Sequence, residues 1–432
     1  MKRRAFLRHA AGASAAFSLG LPSLARADSA QPRVLVVGGG YGGATAAKYI
    51  RLWSGGTVAV TLVEPAERFV SCPLSNLVLG GSRKIDDLTL DYRGLERHGV
   101  AMARDRAASI EPGRRTLTLA GGDTLAYDRL VLSPGVDFIW DLLPGMQAAG
   151  ARERVLHAWK AGAQTVALRA QLEAIVDGGT FVMSVPPAPY RCPPGPYERA
   201  CQVAHYFSRS KPKSKVLVLD ANPDIVSKGA LFRKVWQERY GGIIEYRPGF
   251  LAVDVDPIAR AVKSELGDEV KGDVLNVIPP QRAADVAVQA GLADANGRWC
   301  SVDFRTFEST VSPGIHVIGD AIQTAPLMPK SAHMANQHAK VCAGAVVDLL
   351  ADRAPSPRPM LTNTCYSFVS DKDAIHVASV HAWDDAKKTL LAVPGSGGLS
   401  AAANALEGGY ADSWARNIWA DTLGAWPRLP GS

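Results

Sequence analysis

A chain of 432 residues is long enough for two or three domains with sizeable cores. Its 48 Lys and Arg against 41 Asp and Glu give a net charge of +7, but Lys2, Arg3, Arg4, Arg8 and Arg26 all fall in residues 1–27, and the remainder carries only about +2. That modest balance, with no basic tract interleaved with aromatics, excludes nucleic acid as a partner, and no apolar run reaches the length that spans a bilayer.

Residues 1–27 read as a removable leader. Paired arginines at Arg3-Arg4 precede an apolar stretch from Ala10 to Leu24, and Ala25-Arg26-Ala27 fits the small-x-small cleavage rule. Twin arginines predict export of an already folded protein to the periplasm, which suits a chain that acquires a cofactor first. An uncleaved anchor is the other reading of the same stretch.

The next stretch organises the chain. Val34 to Val37 form a short apolar run ending in glycines, the pattern of a buried parallel strand entering a tight turn. Gly38, Gly40 and Gly43 complete G-x-G-x-x-G: the first permits the turn, the second lets the backbone approach a pyrophosphate, and the third lets the following helix pack on the strand. The helix N-terminus offers free N–H groups to that phosphate. A second strand, Val58 to Val63, ends at Glu64, placed to hold a ribose hydroxyl. These residues predict a dinucleotide site.

Phe69 to Asn76, containing Cys72, follows Glu64 and is expected in the loop beneath the cofactor. Short alternating strands around Arg115–Leu119 with a Gly121-Gly122 turn come next. Tyr127-Asp128-Arg129-Leu130-Val131-Leu132-Ser133-Pro134-Gly135 is a further buried strand. This succession resembles the two-dinucleotide-domain flavoproteins. The fold expected is α/β, with two Rossmann-like dinucleotide-binding domains in the manner of glutathione reductase and a small C-terminal α+β domain. The boundaries expected are 31–144 with 285–353 for a discontinuous FAD-binding domain, 145–284 for the second domain, and 354–432 for the last.

In the second domain the core strand Lys215–Asp220 is followed by Ala221-Asn222-Pro223-Asp224 and by no glycine fingerprint. Without those glycines the backbone offers no close phosphate approach, so a pyridine nucleotide is not expected as electron donor. The chain then returns through Val277–Arg282 to a last parallel strand, Gly314–Ala321. There Asp320 is placed to accept a ribityl hydroxyl. Met328-Pro329-Lys330-Ser331 leads into an apolar helix whose N-terminal dipole, together with Lys330, is expected at the pyrimidine edge of the flavin.

All six cysteines, Cys72, Cys192, Cys201, Cys300, Cys342 and Cys365, lie beyond the leader, and none forms C-x-x-C or C-x-x-C-H. A zinc knuckle, a thioredoxin motif and covalent haem are therefore absent, and no metal site is expected. On the residues alone a buried core cysteine is the other reading of Cys72, and Cys192 pairs either with Cys201 or with Cys365. Glu198 reads as an acid/base group or as a surface glutamate. Cys201, Cys300 and Cys342 read as core residues, and His333 and His338 as structural. Trp414, Trp419 and Trp426 suggest either a docking surface or core packing.

The strings SCPLSNLVLGG, YRCPPGPYERA, VIPPQRA, GIHVIGDA, MPKSA and LTNTCYS, in this order, together resemble the flavoprotein subunit of flavocytochrome c sulfide dehydrogenase, over nearly the whole chain beyond the leader. The resemblance implies FAD carried covalently through Cys72, and a redox disulfide of Cys192 with Cys365 above the flavin. It implies that sulfide is the substrate, with a c-type cytochrome, as a bound subunit or a separate soluble protein, as electron acceptor. Hydrosulfide is small, anionic and able to attack a disulfide, and Glu198 becomes the acid/base group near the pair. The nearest enzymatic alternative is a sulfide:quinone oxidoreductase, which would want an apolar membrane-docking C-terminus where this one is short and mixed. The other is a flavin-carrying or sulfur-binding partner without turnover, which would have no need of two such cysteines.

Overall fold

The computed structural model describes residues 31–424; the leader and Trp426 lie outside them. Strand β1 (Arg33–Val37) is apolar after its first residue and buried from Val34 to Val37. It turns at Gly38 (φ +94) into helix α1 (Tyr41–Trp53). β1 runs parallel between β2 (Ala59–Val63) and β3 (Arg129–Leu132), with Ala101–Ala103 parallel at the outer edge of β2. Buried on both faces, these strands need no polar alternation. Between β2 and β3 the chain makes the expected excursion, a three-stranded antiparallel sheet of Ala107–Glu111, Thr116–Leu119 and Thr124–Ala126.

A second parallel sheet follows. Its order is Ile244–Pro248, β5 (Lys215–Asp220), β4 (Thr180–Val185), Val274–Val277. Helix α2 (Gly195–Ser210) lies between β4 and β5 in sequence, and α3 (Gly229–Arg239) follows β5. The place of the missing fingerprint is filled. Asp220 at the end of β5 accepts from the Tyr197 hydroxyl at 2.7 Å, the Tyr246 hydroxyl at 3.0 Å and both nitrogens of Asn222. Tyr190 and Tyr197, both fully buried, pack beside it.

Gln281–Ala283 pairs antiparallel with Val136–Phe138 and carries the chain back. β6 (Ile315–Val317) then docks parallel on β3, so the first sheet is completed by residues far along the sequence. Helix α4 (Ala332–Leu350) packs on α1. Two long antiparallel strands, β7 (Met360–Phe368) and β8 (Ala374–Asp384), and helix α5 (Ala405–Leu423) end the described chain. The C-terminal segment does not keep a separate core. Leu361, Leu390, Ile418, Trp419 and Leu423 belong to the same apolar cluster as β1 and α1. Asn336 of α4 donates to Thr45 of α1 and to Asp421 of α5, at 3.0 and 2.7 Å. No helix among the described residues is long and apolar enough to cross a membrane.

Candidate active site

One cavity of about 950 Å³ runs from the glycine turn after β1 to the start of α2 and the middle of β7. At its first end the backbone is shaped by the absence of side chains. A Cβ on Gly38 would lie 2.3 Å from the Ser133 carbonyl oxygen, and one on Gly43 would lie 1.9 Å from that of Gly38. Gly43 thus serves helix–strand packing and is not on the cavity wall. A Cβ on Gly40 would meet nothing within 4 Å, since that residue opens onto the cavity at the N-cap of α1. Glu64 lines the same end. Its two oxygens accept the N–H groups of Gly39 at 2.6 Å and Ala66 at 2.8 Å, and carboxylate lone pairs remain for a ribose hydroxyl.

Further along, Asp320 presents a buried oxygen, Oδ1, with no hydrogen-bond partner among the described residues, while its other oxygen lies 4.0 Å from Arg191. Burial raises its pKa, against the pull of Arg191 and Lys330. A glycine cradle for phosphate, a ribose carboxylate and an orphaned acceptor for a polyol, all on one elongated cavity, fit an extended flavin dinucleotide. Cys72 is half-buried on the wall of the same cavity, with Arg191 Nη2 2.6 Å from its sulfur.

Lys330 differs from expectation. Its ammonium turns away from the cavity to the carbonyls of Asp320 and Ile322, at 2.9 and 2.5 Å, and stands 3.6 Å above the Trp299 ring centroid. What it offers the site is its own carbonyl, which accepts the Cys192 N–H at 2.8 Å. The helix start behind it is capped by Ser331, and Ser331, Ala332 and His333 do reach the cavity. His333 accepts the Thr364 N–H and His338 the Gly319 N–H. Burial lowers the His338 pKa to about 3 and keeps it neutral.

At the far end Cys192, Cys365 and Glu198 share the wall. Cys192 sits on the turn before α2 in a left-handed conformation (φ +59), its sulfur packed so close to Gly195 that a Cβ there would come within 2.9 Å. Cys192 is exposed to the cavity, yet the protein packed around it, with Glu198 and the neighbouring Cys365, pushes its pKa up to about 12, while Arg191 and Lys228 pull it down. Cys365 lies mid-strand on β7, with the Asn363 amide 3.4 Å from its sulfur. Both are free thiols in the structure. Cys201 is held elsewhere: its sulfur accepts the Trp236 indole N–H at 3.2 Å in the second core. Cys192 and Cys365 thus line one cavity, and Cys201 does not.

Glu198 is no surface residue. It is buried in the first turn of α2, accepting from the Phe368 N–H at 2.9 Å and the Asn76 amide at 3.1 Å. Burial raises its pKa against those bonds and the charges of Lys228 and Arg199. Trp414 and Trp419 do not share one surface. Trp414 lines the cavity beside His333 and Tyr366, whereas Trp419 is buried and donates to Tyr41 at 2.9 Å. Arg191 and Asn76 went unremarked in the sequence although they stand inside two of its motifs. A cation next to a cysteine was the available signal.

Family models match for the central part of the sulfide dehydrogenase [flavocytochrome c] flavoprotein chain over residues 165–279, and for the flavocytochrome c sulphide dehydrogenase flavin-binding region over residues 357–423. A pyridine nucleotide-disulphide oxidoreductase model matches residues 32–182. The sulfide dehydrogenase [flavocytochrome c] flavoprotein chain of Chlorobaculum thiosulfatiphilum is 59% identical over 46 residues, 11% of this chain and 94% of that relative. The chain belongs to the flavocytochrome c sulfide dehydrogenase flavoprotein family. Within that family assignment, wider likenesses extend to quinone-linked enzymes. Mouse mitochondrial sulfide:quinone oxidoreductase is 25% identical over 298 residues, 66% of this chain and 65% of that relative. The chain therefore spans just under two thirds of that protein. The solved structure of the Aquifex aeolicus sulfide:quinone oxidoreductase superposes with a TM-score of 0.74 at 19% identity, covering 91% of this chain and 92% of that one, a likeness of fold.

Proposed function

We propose that this family member is a periplasmic FAD enzyme that oxidises sulfide to sulfur or polysulfide and passes the electrons to a c-type cytochrome. The observation that carries the reading is the presence of Cys192, Cys365 and Glu198 on the wall of the same cavity as the glycine cradle, Cys72 and Asp320. Gly38 and Gly40 would admit the pyrophosphate, Glu64 would take a ribose hydroxyl, Asp320 would take the polyol, and Cys72 would carry the covalent link. Bound FAD accepts electrons as a pair and releases them singly, which a one-electron haem acceptor requires.

The sulfur chemistry belongs to the chain's own residues. With Cys192 and Cys365 joined, hydrosulfide attacks one sulfur. The S–S bond breaks, a new one forms to the substrate, and the other cysteine leaves as a thiolate with the bond pair. Loss of zero-valent sulfur leaves both cysteines reduced, and the disulfide re-forms as the pair gives up two electrons, which bound FAD would take. Overall HS⁻ yields S⁰, one proton and two electrons, and Glu198 receives the proton. As that base Glu198 must be ionised, and burial raises its pKa, so turnover should rise as pH climbs through the raised value. Glu198→Gln should flatten that limb and cost roughly 100-fold or more in kcat. An unchanged pH–rate profile would remove Glu198 from this role.

A haem must come from another polypeptide, since the chain has no C-x-x-C-H. The second reading, with quinone as acceptor, is favoured by the mouse and Dictyostelium discoideum sulfide:quinone oxidoreductases, each matched over about two thirds of this chain. Sulfide-reduced protein mixed with oxidised cytochrome c or with a short-chain ubiquinone decides between them. We expect rapid reoxidation by the cytochrome; reoxidation by the quinone alone would overturn the cytochrome reading.

A further inference from the structure

Behind the cavity wall lies a lysine that no sequence motif marks. Lys228 precedes α3 with a left-handed backbone (φ +59) and is only 6% exposed. Its ammonium donates to the Ser367 hydroxyl at 2.7 Å and to the Cys365 carbonyl at 3.0 Å. That leaves one of its three N–H groups without an acceptor, and its charge without a contacting carboxylate, among the described residues. A buried ammonium is ordinarily paired directly, because desolvation without compensation is costly.

Most of the groups whose charge acts on it without bonding to its ammonium belong to the cavity's reacting end. Cys365 of β7 acts on it most strongly, then Glu198 of α2, Cys192 on the turn before α2, and Glu407 of α5. Burial still lowers the Lys228 pKa, to about 8. The other cations near the sulfurs are engaged elsewhere. Arg191 is turned to Cys72 and Asp320, and Arg199 spends its N–H groups on Asn76, Asn276 and the carbonyls of His157 and Ala158. Tying α3 to β7 would explain two hydrogen bonds, but a neutral donor would do that without the cost of a buried charge.

We propose that Lys228 is a positioning residue for the sulfur chemistry: bonded to the Cys365 carbonyl and to Ser367, it fixes the strand that carries Cys365 and supplies the buried positive charge that holds the Cys365 sulfur as an anion. The inference rests on reading Cys192 and Cys365 as the reacting pair. When hydrosulfide adds to Cys192, the anion held is the Cys365 thiolate carrying the electron pair of the broken S–S bond. When it adds to Cys365, the anion is the terminal sulfur of the new persulfide once its proton has passed to Glu198.

The test needs neither sulfide nor an electron acceptor, so its outcome is independent of whether sulfide is the substrate. Dithiothreitol-reduced holoprotein is treated with iodoacetamide across a pH series, and carbamidomethylation of the Cys365 peptide is followed by mass spectrometry. In Lys228→Met the alkylation profile of Cys365 should move up by about one pH unit or more and its rate at pH 7 fall about tenfold, because the thiolate is the nucleophile and a neighbouring cation stabilises it. Lys228→Arg should keep most of the wild-type profile. Ser367→Ala, which loses an anchor and keeps the charge, should shift it far less than Lys228→Met. Flavin content and melting midpoint establish that each variant folds. A Cys365 profile that is the same in wild type and Lys228→Met, or that Ser367→Ala moves as far as Lys228→Met does, overturns the proposal.

Discussion

Replacing Cys192 or Cys365 by serine is expected to slow sulfide-driven bleaching of the flavin at least about 1000-fold, since each removes a member of a unit that acts together, while leaving the protein yellow. The two halves of that result come from different parts of one cavity. Without either sulfur there is no disulfide for hydrosulfide to attack. The cradle at Gly38 and Gly40, the Glu64 carboxylate, the orphaned Asp320 oxygen and Cys72 are untouched, so the cofactor should stay. Both substitutions are also mild for the fold. Serine is smaller than the cysteine it replaces, and at position 192 the backbone remains held by the Lys330 carbonyl and by the bond from the Gly195 N–H, both 2.8 Å. Rapid-mixing absorbance on the two variants measures the effect. Bleaching at the wild-type rate in both would refute the disulfide mechanism.

The second large effect separates folding from cofactor binding at neighbouring glycines. In Gly40→Ala the new methyl meets no protein atom within 4 Å, so the chain should fold with a nearly unchanged melting midpoint. That methyl, however, occupies the space through which a pyrophosphate approaches the start of α1, and flavin uptake should fall at least about tenfold. Gly43→Ala behaves otherwise. Its methyl would sit 1.9 Å from the Gly38 carbonyl oxygen and 3.3 Å from Ser133 Cβ. Helix α1 must then lift off β1, and soluble protein and flavin should be lost together. The flavin-to-protein ratio and the melting midpoint distinguish the cases. A Gly40→Ala protein with its full complement of flavin would contradict the assignment of this turn.

The first sheet and its turn were legible because the information is local: an apolar run, three glycines and an acidic residue at the end of the next strand. The missing second fingerprint was legible for the same reason, and the cluster of Tyr197, Tyr246 and Asn222 around Asp220 shows what fills its place. Long-range packing was not legible. The bond from Trp419 to Tyr41 spans 378 residues, and nothing local announces that β7 and α5 complete the first core instead of forming one of their own. Direction was lost as well as distance. The MPKSA string puts Lys330 in the right neighbourhood, but only the fold shows its ammonium turned to carbonyls behind the cavity. Glu198 was ambiguous in sequence because glutamates are mostly exposed; the fold shows it buried against Asn76 and Phe368. Lys228, in a stretch without a motif, became visible only through its neighbours.

In the proposed function sulfide, and not a pyridine nucleotide, delivers electrons to the flavin through this cavity. Anaerobic titration of the purified protein with sulfide, following flavin absorbance, with NADH in a parallel cuvette, tests it most directly. Sulfide should bleach the flavin, and NADH should not. Bleaching by NADH with no response to sulfide would contradict it.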